Sequence, residues 1–248
     1  SRQLYHNGRT SLYLVPNEMG KQMSKFLVTS GCSFSTVFNH THDLVQGGTW
    51  PHVLRLLTSK YQWSPIALGV EGQGNGLIAR KLIQSLHDLL YQKNVSPKDI
   101  FVGVMWSGTN RIEKYVDNRW EIIFQGSPQY NAYHKFIGSK IGDAIITMEH
   151  ILQVQWFLER HGIKYFMTTY TDQVLPTNCV KNLDVNYLYK QINFDNFLPI
   201  NGMYEWCRDH GTITFPVIDD IHPGFKQHRE FTEKVILPFC YKNGLLEL

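Results

Sequence analysis

The sequence predicts an α/β fold in which helices cover both faces of a parallel sheet. Short apolar segments typical of buried strands alternate along the chain with segments whose apolar residues repeat at helical spacing. The hydrophobic share of 43% and the charged share of 18% are those of a folded globular protein, and 248 residues can bury one sizeable core. We therefore expect a single domain over 25–248, preceded by a polar N-terminal arm over 1–24.

Each predicted element rests on its local pattern. Predicted strands cover 25–29, 65–70, 100–106, 163–167 and 212–218. The third is almost continuously apolar, which is typical of a strand that is covered on both faces. Helices are predicted over about 77–91 and 223–237, and through the repeat Ile141, Ile145, Met148, Leu152 and Trp156, which His161 and Gly162 close.

The segments 112–139 and 171–199 are too long for simple connections, and long segments of this kind are often functional loops. Both are rich in rings: Trp120, Tyr130, Tyr133, His134 and Phe136 in the first, and Tyr187, Tyr189, Phe194 and Phe197 in the second. These rings either wall a substrate cleft or pack a small core beneath each loop.

The composition also excludes several classes of partner. A net charge of +3 with scattered Lys and Arg residues shows no electrostatic footprint for nucleic acid in the sequence, and a basic patch formed only in three dimensions stays open. No apolar run is long enough for a membrane span, and the first residues lack the pattern of a signal peptide. The Cys residues are widely spaced without C-x-x-C, so we expect a reducing compartment rather than a disulfide scaffold.

No cofactor or metal is expected. The run Gly72-x-Gly74-x-Gly76 lacks the last glycine of a dinucleotide fingerprint, because position 77 is Leu77. His40, His42 and Asp43 lie close in sequence, but no further ligand motif supports a metal site there, so we interpret them as a solvated loop.

Four short polar blocks follow predicted strands. Ser33 follows the first strand, Gly74 the second, Asn110 the third, and Asp219 with His222 the last. In parallel sheets, ligands bind outside the carboxyl ends of the strands. We therefore expect these blocks to meet at one edge of the sheet.

In this order the blocks G-C-S-F, G-Q-G-N, S-G-T-N and D-D-I-H resemble those of the SGNH hydrolases, also called GDSL-type esterases. The resemblance covers about 25–240 and implies a flavodoxin-like three-layer α/β/α sandwich with a central five-stranded parallel sheet. Ser33, Gly74 and Asn110 match the family's serine, glycine and asparagine, and Asp219 with His222 matches its D-x-x-H pair.

Two positions depart from the family pattern. Cys32 and Arg111 stand where many members have Asp, which leaves the subfamily and the substrate open. The G-C-S-F block is similar to those of bacterial and phage proteins, so we expect a cytoplasmic or virion-associated protein.

These residue types fit acyl-transfer chemistry, which needs a nucleophile, a base, a group that orients the base, and donors for the oxyanion. Ser33 is the candidate nucleophile, His222 the base and Asp219 the orienting carboxylate. The candidate oxyanion donors are the backbone N–H groups of Ser33 and Gly74 and the side-chain amide of Asn110. The chain is thus predicted to be a serine esterase that works without a cofactor. The resemblance to the SGNH hydrolases implies acetyl or short-chain esters of a small molecule or carbohydrate as its substrates.

Other interpretations of the same residues stay open at this point. Taken singly, Ser33 fits a helix cap, Gly74 and Asn110 fit turns, and His222 fits a surface histidine near a helix start. Cys32 could be a thiol nucleophile, although a small packed side chain is the plainer interpretation. The fold could also serve as a silent binding module of a larger assembly, such as a virion, or as an acyltransferase that uses the same residues.

Overall fold

The strands in the described part of the protein form one parallel sheet and one separate hairpin. The computed structural model describes residues 25–36, 48–123, 127–175, 183–210 and 222–247. Its strands are β1 Phe26–Ser30, β2 Ser64–Ala67, β3 Ile100–Trp106, β4 Ile112–Val116, β5 Arg119–Ile123 and β6 Lys164–Thr169. Its α-helices are α1 Trp50–Leu57, α2 Asn75–His87, α3 Pro128–Phe136, α4 Lys140–His161, α5 Leu183–Tyr189, α6 Met203–His210, α7 Phe225–Phe231 and α8 Leu237–Lys242.

The central sheet has the strand order β2-β1-β3-β6, and all of its pairings are parallel. This confirms the predicted α/β class and four of the predicted strands. The fifth predicted strand, 212–218, lies outside the described residues. At the β6 edge, a single parallel bridge joins Met167 to Phe197.

Both faces of the sheet are buried, as the apolar strand sequences predict. On one face, Val28, Val102 and Met167 pack with side chains of α2 and α4. The neighbouring residues along the same strands point the opposite way, because successive strand residues alternate between faces. There, Leu27 and Phe101 pack with side chains of α1, α6, α7 and α8. The result is the predicted three-layer arrangement.

Two predicted helices continue through π-helical turns. The helix that begins at Asn75 extends beyond His87 through the turn Asp88–Gln92, and α7 runs through Thr232–Ile236 into α8. The long helix α4 ends at Gly162, whose positive φ of 65° is a left-handed cap. Its buried face differs in part from the predicted stripe, since Ile141 and Trp156 are exposed. Within the described ranges, no helix combines the length and apolar character needed to cross a membrane.

The segment after β3 contains secondary structure that the pattern of the sequence did not predict. Strands β4 and β5 pair antiparallel, and Asp117 and Asn118 make the turn with φ of 49° and 62°. Positive φ at both central residues is typical of a two-residue hairpin turn. The hairpin begins directly after Asn110 and Arg111, so it stands beside the predicted site.

Candidate active site

Ser33 and His222 lie in direct contact, although 189 positions separate them in the sequence. Ser33 opens a short 3₁₀ turn, Ser33–Ser35, just beyond the end of β1, and His222 precedes α7. The Nε2 atom of His222 lies 2.7 Å from Ser33 Oγ. This is the distance that proton transfer between a serine hydroxyl and a histidine base requires.

An aromatic ring supports the histidine. The buried ring of Phe34 lies 5.1 Å from the His222 ring, measured between centroids, and 5.2 Å from the ring of Tyr170. Since Phe34 directly follows Ser33, the same turn carries the hydroxyl and the ring that packs against the imidazole. Burial raises the pKa of Tyr170, against the smaller opposite effect of Arg111, so its phenol is neutral near pH 7.

Gly74 lies at the N-cap of α2, where a backbone N–H has no acceptor within its own helix. A side chain at this position would collide with its neighbours. An added Cβ would lie 2.7 Å from Glu113 Oε1 and 3.1 Å from the Arg111 carbonyl oxygen. Glycine is therefore required by the close approach of the loop that follows β3.

Asn110 lies in the turn between β3 and β4 and is half-buried. Its side-chain oxygen rests against Gly108, where an added Cβ would approach it to 2.6 Å. Gly108 thus lets the carboxamide fold over the turn. The sequence block S-G-T-N therefore has a structural reason for its glycine as well as for its asparagine.

The residues on either side of Gly74 tie the three strand-end loops together. Gln73 Nε2 donates to the Gly31 carbonyl at 3.0 Å, which joins the β2 loop to the β1 loop. Asn75 Oδ1 accepts from the Ser107 N–H at 2.8 Å, and its Nδ2 donates to the Ser107 carbonyl at 2.9 Å. Arg111 Nη1 donates to the Gln73 carbonyl at 3.0 Å. In the sequence, this network is indicated only by the two polar residues of the G-Q-G-N block, Gln73 and Asn75.

A buried carboxylate anchors the hairpin to the start of α2. Glu113, on β4, accepts a hydrogen bond from the Leu77 N–H at 2.9 Å and pairs with Arg80 at 2.6 Å. The Arg80 guanidinium in turn lies 3.7 Å from the centre of the Trp120 ring on β5. Since Gly74 supplies no capping side chain, Glu113 caps this helix from another strand.

Trp50 connects the serine turn to the helix that follows His222. Its indole N–H donates to Ser35 Oγ at 2.9 Å, and its backbone N–H donates to His228 Nδ1 at 3.2 Å. Trp50 and His228 are both buried. The relative position of Ser33 and His222 thus depends on a buried bridge that the sequence pattern did not reveal.

The buried His228 is expected to make folding stability depend on pH. Burial, with a smaller effect of His222, lowers the pKa of His228 to about 3. The unfolded chain therefore takes up a proton below about pH 6.5, whereas the folded protein does not, so stability is lost as the pH falls. Between about pH 7 and pH 5 this group should remove about 2 kcal/mol of the free energy of unfolding.

Urea unfolding at the two pH values checks this expectation. In His228→Asn, whose side-chain oxygen can still accept from the Trp50 N–H, the loss should shrink by about 2 kcal/mol. The surface variant His210→Asn should keep the wild-type pH dependence, because His210 is exposed. An unchanged pH dependence in His228→Asn would contradict the assignment.

Some of the predicted site residues are not among the residues that the structure describes. Asp219, its neighbour Asp220 and the possible ligands His40, His42 and Asp43 lie outside the described residues. Elsewhere in the described part, no group of three or more His, Cys, Asp or Glu side chains could hold a metal ion. Cys32 is fully buried among apolar side chains, which confirms its interpretation as a packed residue.

Comparisons with known proteins show the fold. No protein-family model matches the sequence, and no curated protein matches it either. Among solved structures, TesA is 12% identical with a TM-score of 0.51, and the match covers 90% of this chain and 100% of TesA. The Bacillus subtilis protein YxiM is 12% identical with a TM-score of 0.50, over 91% of this chain and 58% of YxiM.

A member of the G-D-S-L family of lipolytic proteins from Veillonella parvula is also similar. It is 12% identical with a TM-score of 0.46, over 84% of this chain and 94% of that protein. At such identities the likeness to TesA and YxiM shows the fold alone. The protein therefore shares the α/β fold of TesA, and its described parallel sheet with helices on both faces agrees with the SGNH-hydrolase fold that the four sequence blocks implied.

Proposed function

We propose that the protein is a serine esterase that works through an acyl-enzyme on Ser33. The observation that carries this proposal is the 2.7 Å contact between Ser33 Oγ and His222 Nε2 at the carboxyl edge of the sheet. The shared fold supports it, as does the position of Gly74 and Asn110 on the two neighbouring loops.

The proposed reaction has two halves. His222 Nε2 takes the proton from Ser33 Oγ as the oxygen attacks the ester carbonyl carbon. The carbonyl oxygen becomes an oxyanion that accepts hydrogen bonds from the N–H groups of Ser33 and Gly74 and from the Asn110 amide. The intermediate then collapses, the C–O bond to the alcohol breaks, and His222 gives its proton to the leaving oxygen.

Water completes the cycle. His222 removes a proton from a water molecule that attacks the acyl-enzyme, and a second oxyanion forms in the same place. When the bond to Ser33 breaks, the proton returns from His222 to Ser33 Oγ and the carboxylic acid leaves. None of these steps requires a cofactor. Asp219 is proposed to hold the imidazole in the tautomer that keeps Nε2 unprotonated before the attack.

A competent site is favoured over a silent binding module. Ser33 is only half-buried, so a substrate can reach it, and its hydroxyl contacts the base. A silent binding module does not need a contact between a serine hydroxyl and a histidine, so this contact favours a catalytic site. The proposed architecture is a single catalytic domain over 25–248 with an N-terminal arm over 1–24. The resemblance of the sequence blocks supports acetyl or short-chain esters of small molecules or carbohydrates as substrates.

Covalent labelling tests the proposal. A fluorophosphonate probe should phosphonylate Ser33 by displacing fluoride, and peptide mass spectrometry should locate the label. His222→Ala should lose the label, because the hydroxyl then has no base. Ser33→Ala serves as the matched control for labelling elsewhere. A folded wild-type protein that carries no label at Ser33, or a label that survives in His222→Ala, would contradict the proposal.

A further inference from the structure

Arg111 places a half-buried guanidinium between the two loops that carry the proposed oxyanion donors. It follows Asn110 in the sequence, and its Nη1 donates to the carbonyl of Gln73, the residue before Gly74, at 3.0 Å. The cation therefore lies beside both donors. Its position follows from two independent features, the chain connection to Asn110 and the hydrogen bond to Gln73.

Aromatic rings place the same cation close to the nucleophile. The guanidinium carbon of Arg111 lies 5.8 Å from the centre of the Tyr170 ring. That ring contacts Phe34, which follows Ser33. A single aromatic side chain thus separates the Arg111 cation from the turn that carries the proposed nucleophile.

Within the described residues no carboxylate pairs with Arg111, and unlike Arg55 and Arg160, which share this feature but are exposed, Arg111 is half-buried. Several arginines pair with a carboxylate within 4.0 Å: Arg80, Arg119, Arg208 and Arg229. Among the described residues, the contacts of Arg111 are a neutral carbonyl and a neutral ring. A guanidinium has five N–H donors, and the carbonyl of Gln73 accepts from only one nitrogen. Partial burial of such a cation favours an anion beside it, because burial weakens its hydration.

We propose that Arg111 binds a carboxylate group of the substrate, so that the esterase prefers ester substrates that carry one negative charge. A planar carboxylate matches the fork of N–H donors, and one cation matches one negative charge. This inference rests on the proposed function, because it assigns the substrate class of the same site. The competing role is purely structural, in which Arg111 only fastens the loop after β3 to Gln73.

Matched ester pairs separate the two roles. With the charge on the alcohol side, 4-acetoxybenzoate is compared with the neutral 4-acetoxybenzamide. With the charge on the acyl side, 4-nitrophenyl hydrogen fumarate, whose trans geometry prevents self-cleavage, is compared with its neutral amide. Wild-type protein should show the higher kcat/KM for the carboxylate in at least one pair, and that pair locates the anion.

Arg111→Met should remove this preference. For the preferred carboxylate ester, kcat/KM should fall about 10- to 100-fold, mainly through KM, whereas the neutral partner should fall by a clearly smaller factor, which reflects the lost hydrogen bond to Gln73. Arg111→Lys keeps the charge and should restore part of the preference. Arg160→Met is the control, because it removes an exposed arginine at the end of α4. This residue lies near the start of β6 and so at the opposite edge of the sheet, and the variant should behave as wild type.

Two results would overturn the inference while leaving the proposed function intact. One is equal turnover of both members of each pair by wild-type protein. The other is an equal loss on charged and neutral esters in Arg111→Met, which would indicate a loop fastener. If wild-type protein turns over none of the esters, the proposed function fails.

A binding measurement tests the proposed anion site independently of esterase activity. In Ser33→Ala, calorimetry should detect 4-acetoxybenzoate more strongly than its amide, and the additional Arg111→Met change should abolish the difference. Binding that does not depend on Arg111 would overturn the anion site whether or not the protein is an esterase.

Discussion

Replacing Ser33 with alanine is expected to lower the turnover of p-nitrophenyl acetate roughly 10⁴- to 10⁶-fold. The reason is the contact between Ser33 Oγ and His222 Nε2, which makes this hydroxyl the group that attacks the ester. Steady-state release of p-nitrophenol from purified wild-type and variant protein measures the effect, and circular dichroism shows that both are folded. The loss should lie in kcat, since the small side chain contributes little to binding.

Two further variants make this result specific. Ser59→Ala changes an exposed serine after α1 and should leave turnover unchanged. Cys32→Ala tests the neighbouring thiol, which is fully buried, and should retain serine-dependent turnover. A collapse of turnover in Cys32→Ala with a folded protein, or full turnover in Ser33→Ala, would count against Ser33 as the nucleophile.

The second large effect is expected at Asp219. Because His222 turns Nε2 toward Ser33, its Nδ1 is the atom that an orienting carboxylate must contact. A residue three positions earlier on the same segment can reach back to that atom, and Asp219 has this spacing. Asp219→Ala should lower kcat on the order of 10⁴-fold, as loss of the orienting acid does in catalytic triads.

The adjacent Asp220 provides the matched control. Asp220→Ala removes the same charge one residue nearer to His222 and should cost much less, because the three-residue spacing favours Asp219 as the orienting carboxylate. Initial rates with p-nitrophenyl acetate compare the two variants. Equal losses, or a larger loss in Asp220→Ala, would contradict the assignment of Asp219 as the carboxylate that orients His222.

The central strands could be predicted because a strand that is buried on both faces has a nearly continuous run of apolar residues. The run Ile100–Trp106 is almost wholly apolar, and every one of its residues is buried. Helix α2 was also predictable, since a glycine cluster precedes it and its apolar residues repeat at helical spacing.

Elements stabilised mainly by tertiary contacts could not be predicted in this way. The hairpin β4–β5 is largely exposed and has no apolar run, and its one local signal is the Asp117-Asn118 turn. Helix α1, Trp50–Leu57, was missed as well, although Thr49 and Pro51 are residues that suit a helix start. Short helices of this length depend on packing more than on propensity.

For the site, the sequence indicated which residues meet but not what holds them there. The approach of Ser33 to His222 was predicted from their places after two predicted strands, and the structure shows the contact, although the strand predicted before His222 lies outside the described residues. By contrast, the Trp50 bridge to Ser35 and His228 joins residues up to 178 positions apart. No local pattern encodes such a contact, because each side chain has an ordinary core or surface role in its own segment.

The most direct test of the proposed mechanism is to trap the acyl-enzyme. Wild-type protein is mixed with excess p-nitrophenyl acetate, quenched in acid within the first turnovers and examined by intact and peptide mass spectrometry. The proposed mechanism predicts one added acetyl group on Ser33, no acetyl group in Ser33→Ala, and a release of p-nitrophenol that matches the acetylated fraction. Serine-dependent hydrolysis without acetyl on Ser33, or acetyl on another residue that forms and decays at the rate of turnover, would contradict it.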